Sequence, residues 1–243
     1  MVVKLADVNI SLPIKYPSNI MRFVEFETND QPDYYLEISN NRLTNELKEL
    51  VRRFPFRCFS DEEIEWNVIY REVPKLLSKE NVVLIHGVLV KMDNDGYLFT
   101  APSGTGKSTH AMLWTKVFPN RASIVNGDKA LLKLTKSGVF AYGSPWKGKE
   151  RIGTSQCVKL KSICEIQRGN VNYIKAMERK ADSFLTFLVH SQISGLESII
   201  SERIRWIDQA IGYISFFRMK CNMSYEAANI AYEGMNSEHS FYK

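Results

Sequence analysis

Cysteine is scarce in this chain: Cys58, Cys157, Cys164 and Cys221 are the four among 243 residues. None forms a C-x-x-C pair, and no histidine stands near Cys157 or Cys164 at zinc-ligand spacing, so neither a disulfide framework nor a structural zinc site is expected. Free thiols in a reducing cytoplasm are the expectation. Long apolar runs are also missing. None approaches the roughly 20 residues that a membrane span requires, and no secretory leader is recognised, so a cytoplasmic protein with no membrane partner is expected. A basic block is absent as well. The net charge of +5 is spread over 32 basic and 27 acidic residues, which suits a phosphate-handling protein and does not imply nucleic acid. There is no internal repeat and no low-complexity segment. With 44% hydrophobic and 24% charged residues, the chain can form a sizeable core as one large domain, or as one domain with a small appendage.

The first third carries no recognisable chemistry. Residues 1–40 read as β, from alternation over Val2–Ile14 and Phe23–Thr28 and a run from Tyr34 to Ile38 after a turn at Asn29–Asp33. Two helical patterns follow. The first places Leu43, Leu47, Leu50 and Val51 at helical spacing. The second opens on Ser60-Asp-Glu-Glu63, a capping box, and runs towards Leu77, with Pro74 as a possible kink or end. This gives an N-terminal α/β portion over residues 1–80 and a second domain over 81–243.

The second domain begins with a strongly β stretch, Asn81 to Val90, and a hairpin signal at Asp93-Asn-Asp-Gly96. Tyr97 to Thr100 is then a short strand that runs into Ala101-Pro-Ser-Gly-Thr-Gly-Lys-Ser-Thr109, followed by a helical segment from Ser108 to Val117 with Met112, Leu113 and Val117 inward. A strand, a glycine-bearing loop and a helix N-terminus in that order form a phosphate cradle, because the first N–H groups of the helix lack intrahelical partners and its dipole is positive there. Ser103, Gly104, Thr105, Gly106, Lys107, Ser108 and Thr109 are the candidate nucleotide-binding residues. Lys107 can reach the β- and γ-phosphates, and the Ser108 hydroxyl can ligate Mg²⁺. The motif G-x-x-x-x-G-K-[ST] is met with one departure, Ala101 at the first glycine position. Beyond the loop, Ala122 to Val125 is a strand ending at Asn126-Gly-Asp128, Lys129–Leu134 and Val139–Tyr142 form a hairpin, and Val158 to Arg168 is a strand. Everything from Ile174 onward is helical in pattern. The longest candidate spans Leu196 to Phe217, with Ile200, Ile204, Ile207, Ile211 and Ile214 as a core-facing stripe.

Three features converge. His86-Gly87 precedes a hairpin, the hairpin delivers the phosphate loop, and Ile124-Val-Asn-Gly-Asp-Lys-Ala130 follows about twenty residues later. Together they make residues 82–168 resemble the kinase core of bacterial HPr kinase/phosphorylase, whose structural relatives are the phosphoenolpyruvate carboxykinases. The chain also resembles the short HPr-kinase-like proteins found near peptide-modification genes, some of which phosphorylate a serine of a peptide. The resemblance implies an α/β fold with a mixed β-sheet P-loop kinase core, a small N-terminal α/β portion and a helical C-terminus. It implies ATP and Mg²⁺ as cofactors. Carried over, Lys107 neutralises the transferring phosphoryl group, Ser108 and Asp128 hold the metal, and His86 stands near the γ-phosphate. Two departures stand out. The family's adjacent acids are Gly127-Asp128 here, and no glutamate-arginine-glycine signature is found over Phe140 to Lys149, so the reverse phosphorylase reaction is not expected.

His86 stands in an apolar strand, where a hydrogen-bonded core histidine and a catalytic one both remain open. His110 is expected to face a neighbour rather than a ligand. Lys147, Lys149 and Arg151 gather around Trp146 in a loop that either clamps phosphate or an acidic substrate, or is solvated surface. The expected activity is a phosphotransferase that moves the γ-phosphoryl of ATP to a hydroxyl, a serine of a peptide or protein or a small hydroxyl compound. The alternative is a nucleotide-binding module that recruits or regulates a partner. Homo-oligomers are common among proteins of the resembled fold.

Overall fold

The computed structural model describes residues 1–191 and 197–237, with the side chains of 197–200 left out. The chain divides into two compact units, Met1–Val82 and Val83–Lys243.

In the first unit, β1 (Val2–Leu5) and β2 (Val8–Ser11) form an antiparallel hairpin, and a two-residue β3 (Tyr34–Tyr35) adds in parallel to β2. Helix α1 (Pro17–Phe23) runs into a 3-10 turn at Val24–Phe26. The β expectation for Phe23–Thr28 is therefore wrong, and Tyr34–Ile38 shrinks to two residues. Pro17 sits in the first turn of α1, where its missing N–H costs nothing. Glu65 fixes the entry to that helix: its buried carboxylate accepts from the Lys15 N–H at 2.8 Å and the Asn19 amide at 3.0 Å. Helix α2 (Asn40–Arg53) and helix α3 (Asp61–Ser78) follow. The capping box is present, with Ser60 and Glu63 exchanging side-chain and backbone bonds, and Pro74 lies inside α3 without ending it.

Among the described residues, the second unit is built on a nine-stranded mixed sheet. The stretch expected to be continuous from Asn81 to Val90 breaks at Gly87 into β4 (Val82–His86) and β5 (Val88–Met92). A tight turn at Asp93-Asn94, with Asp93 at φ 54°, joins β5 to β6 (Asp95–Thr100). Next come α4 (Lys107–Val117), β7 (Ala122–Asn126), the hairpin β8 (Lys129–Thr135) and β9 (Gly138–Tyr142), and β10 (Cys157–Arg168). The remainder is β11 (Tyr173–Ala176), α5 (Lys180–His190), α6 (Glu197–Ala210), β12 (Ser215–Cys221) and α7 (Tyr225–Asn236).

The C-terminal part is thus not all helical. The helix expected to reach Phe217 stops at Ala210, a 3-10 turn covers Ile211–Tyr213, and Phe216 and Phe217 lie in a strand. Leu196 and the Ile200 side chain lie outside the described residues. Of the stripe, Ile207, Ile211 and Ile214 are buried while Ile204 is 43% exposed, so Ile204 is not core.

The sheet runs β4-β8-β9-β10-β6-β5-β7, and β10 is its spine. On one edge β10 pairs antiparallel with β9 over Cys157–Lys159 and then parallel with β12 over Ser162–Arg168; on the other it pairs parallel with β6. β12 in turn carries β11. Successive strand residues face opposite sides, and each side has its own core. Leu98, Ile163, Phe187, Trp206 and Ile207 pack on the side of α5 and α6; Tyr97, Phe99, Trp114, Met219 and Ala231 pack on the side of α4 and α7. Among the described residues no helix is long and apolar enough to cross a membrane.

Candidate functional site

β6 enters its loop from inside the sheet, between antiparallel β5 and parallel β10, so the loop opens beyond the C-terminal ends of β6 and β10. Gly104 at φ 79° and Gly106 at φ 118° both occupy the left-handed region. A Cβ at either would meet nothing within 4 Å, so backbone conformation and not crowding calls for glycine there. The hairpin expected to deliver the loop is present, with Val88 to Met92 opposite Phe99 to Asp95.

Lys107, the first residue of α4, is buried and folds back along the loop. Its ammonium donates to the Ala101 carbonyl at 2.9 Å and the Pro102 carbonyl at 3.4 Å. Burial lowers its pKa, and the Asp128 carboxylate pulls in the other direction. A lysine held by two neutral carbonyls in a desolvated place gains strongly if an anion replaces them.

Asp128 is positioned by Asn126 and Gly87. The Asn126 side-chain oxygen accepts from the N–H groups of Asp128 (3.0 Å) and Lys129 (2.7 Å), while its amide donates to Ser144. The Gly87 N–H donates to the Asp128 carbonyl at 2.8 Å, and a Cβ on Gly87 would stand 2.9 Å from the Phe99 carbonyl oxygen. That close passage brings His86 beside Asp128, with Nε2 3.3 Å from Oδ1; the Lys129 ammonium bonds Oδ2. Burial raises the Asp128 pKa, but hydrogen bonds from His86 and Lys129 and the Lys129 charge outweigh it and hold the group at about 2. Asp128 is a carboxylate throughout the physiological range. His86 and Asp128 are therefore brought together, and Asp128 lies close enough to Lys107 to act on its charge.

Gly127 receives a physical account. A Cβ there would lie 2.9 Å from the Lys147 carbonyl oxygen and 3.0 Å from that of Ile152. The 143–154 loop wraps this turn so tightly that no acid fits beside Asp128. The same loop places the basic residues. The Lys147 ammonium donates to the Gly153 carbonyl at 2.9 Å, and Lys149 and Arg151 are exposed. Trp146 is 4% exposed and belongs to the fold's interior, so it does not offer a ring face to a base or peptide.

Three residues that sequence reasoning passed over also stand at this end of the sheet. Glu165 is in register with Thr100, the last strand residue before the loop, and accepts from Arg218 Nε at 2.7 Å. Arg168 donates to the carbonyls of Gly104 (Nη2) and Thr105 (Nε, 3.2 Å), bracing the loop from outside. His190, buried at the end of α5, has its pKa lowered by burial, with Glu165 opposing and His86 and Lys107 adding to the lowering. A signal existed for two of them: Glu165-Ile-Gln-Arg168-Gly169 closes β10, a charged pair at a strand end immediately before a glycine. A lone histidine in a helical pattern gives none. His110 is 2% exposed and accepts from the Trp114 indole at 3.1 Å, as a core residue does.

Ser108 heads α4 beside Lys107, on the first turn that a phosphate would face. Among the described residues no three His, Cys, Asp or Glu side chains cluster as a metal site. Mg²⁺ does not ask for one, since it is commonly held by one or two carboxylates, waters and the substrate's own phosphates. A single carboxylate ionised down to about pH 2 and one hydroxyl fit that mode.

No family model matches the sequence, and no curated protein matches it. Among solved structures, the HPr(Ser) kinase/phosphatase of Coxiella burnetii aligns with 62% of this chain and 94% of its own length, at 8% identity and a TM-score of 0.37. A superposition at that level does not by itself assign an activity.

Proposed function

We propose that this protein is an ATP- and Mg²⁺-dependent kinase that transfers the γ-phosphoryl group to a hydroxyl, a serine of a peptide or protein. One observation carries the reading: a lysine folded into a two-glycine loop at a helix N-terminus, within electrostatic reach of a carboxylate held ionised. Phosphoryl transfer asks a protein mainly for positioning and charge, so this is a sufficient kit. The loop N–H groups and Lys107 would bind the phosphates, and Ser108 and Asp128 would hold Mg²⁺, whose part is to neutralise developing charge on the phosphoryl oxygens. His86 orients the Asp128 carboxylate through the 3.3 Å contact. Asp128 at a pKa of about 2 is a weak base near neutrality, which suits positioning and metal binding better than proton abstraction.

The test is incubation with γ-labelled ATP, Mg²⁺ and serine-containing peptides. Label on a peptide serine in the parent protein, lost in Lys107→Ala and Asp128→Asn, supports the assignment. Equal turnover in Lys107→Ala would sink it. A second reading, a nucleotide-binding module without transfer, is favoured by the space closed to an acid at Gly127. ATP binding with no transfer to any hydroxyl acceptor would select it.

A further inference from the structure

A cavity of about 580 Å³ opens against the loop. It shares Gly104, Thr105, Gly106 and Thr109 with the phosphate cradle, and its remaining walls come from the tips of β10 and β12 and from α4. Lys107, Asp128 and His86 do not line it. A ligand with its phosphates in the loop therefore has two distinct ends: one at the Lys107 ammonium and Asp128, the other in this groove.

The chemistry of the groove is that of a site for a flat, largely apolar group. Leu113, Ile166 and Met223 supply apolar walls, and Met223 is 76% exposed with nothing covering it. The floor is neutral. The Trp114 indole donates to His110 Nε2, so the ring proton sits on Nδ1, which faces Cys221 Sγ at 3.9 Å. Burial pushes His110 down to about 4 and the Cys221 thiol up, so neither carries charge near neutrality. The cation among the lining side chains is Arg168, whose guanidinium is already bonded to the loop carbonyls. Phosphate has little to bind here, since the lining cation is already taken up by the loop carbonyls, whereas a flat base has apolar contact.

We infer that this groove is the nucleoside subsite of the phosphate donor, with the base lying against Leu113, Ile166 and Met223 and the phosphates running past Thr109 into the loop. The inference rests on the loop being a phosphate cradle, and the experiment separates the two. Calorimetric titrations of the full chain with Mg²⁺-tripolyphosphate and with Mg²⁺-ATP compare a ligand that has phosphates alone with one that also has a nucleoside. ATP is expected to bind at least about tenfold tighter than tripolyphosphate. Met223→Ala, an exposed position that the fold does not need, is expected to weaken ATP about three- to fivefold, as loss of part of one apolar contact does, and to leave tripolyphosphate unchanged. The ¹³C-methyl resonance of Met223 should move with ATP and not with tripolyphosphate. Equal affinity for the two ligands with an unmoved Met223 methyl overturns the groove and leaves the cradle standing. Binding of neither overturns both.

Discussion

Gly127 is the residue at which sequence and packing meet most sharply. An acid there would complete the pair that the resembled kinases carry, yet its Cβ would press on two backbone carbonyl oxygens at 2.9 and 3.0 Å. Gly127→Asp should therefore destabilise the fold by about 1–3 kcal/mol, the usual range for an overpacked site, and should not raise activity; urea unfolding together with a transfer assay checks both. His110 gives a pH prediction. Its pKa falls from 6.5 to about 4 on folding because burial disfavours the charged ring. Between those values the unfolded chain binds more protons, so stability falls as pH drops from about 6.5 and levels off near 4, a loss of about 3 kcal/mol. Asp128 acts lower, because its depressed pKa contributes stability that is present above the unfolded value of 3.8 and lost as pH falls through about 2. Urea midpoints at pH 7 and pH 4.5 should differ in the parent and differ much less in His110→Gln, which keeps an acceptor for the Trp114 indole.

At the scale of elements, β10 and α4 determine where the chemistry stands. β10 pairs with β6, β9 and β12, so it fixes the strand that feeds the loop, and α4 seats the loop's lysine while burying Trp114 among Tyr97, Phe99, Phe118 and Tyr232. Trp114→Ala should cost about 3–5 kcal/mol and abolish phosphate binding at temperatures where the parent still binds; circular dichroism melts and ligand titration on the same samples check it. Much of this was legible. Asp93-Asn94 marks the hairpin, Gly104 and Gly106 mark the tight loop before α4, and Ser60 with Glu63 marks the start of α3, because in each case a local backbone demand selects the residue. β12 was not legible. Its alternation of Phe217, Met219 and Cys221 towards α4 and α7 spans few residues and directly follows isoleucines spaced at three and four residues up to Ile214, which extend the helical reading into it, while Phe216 faces the opposite core. α1 was missed because seven residues are too few to display a helical period against neighbouring alternation. The Arg168 brace and the enclosure of Gly127 depend on segments distant in sequence, and no local pattern carries them.

For the whole molecule, the residues proposed to bind and transfer phosphate all belong to the second compact unit, Val83–Lys243. A ligand that binds only the folded state at a hundred times its dissociation constant adds about 2.7 kcal/mol to stability. Mg²⁺-ATP should therefore raise the melting temperature by several degrees in the parent, and in Lys107→Ala by much less. The most direct test of the central claim is calorimetric titration of Mg²⁺-ATP into the parent and Lys107→Ala proteins, with circular dichroism confirming that the variant is folded. The account predicts one saturable site per chain in the parent and an affinity at least about a hundredfold weaker in the variant, as expected when a desolvated charge partner of the phosphates is removed. A parent that does not bind, or a folded variant that binds as tightly as the parent, would contradict it.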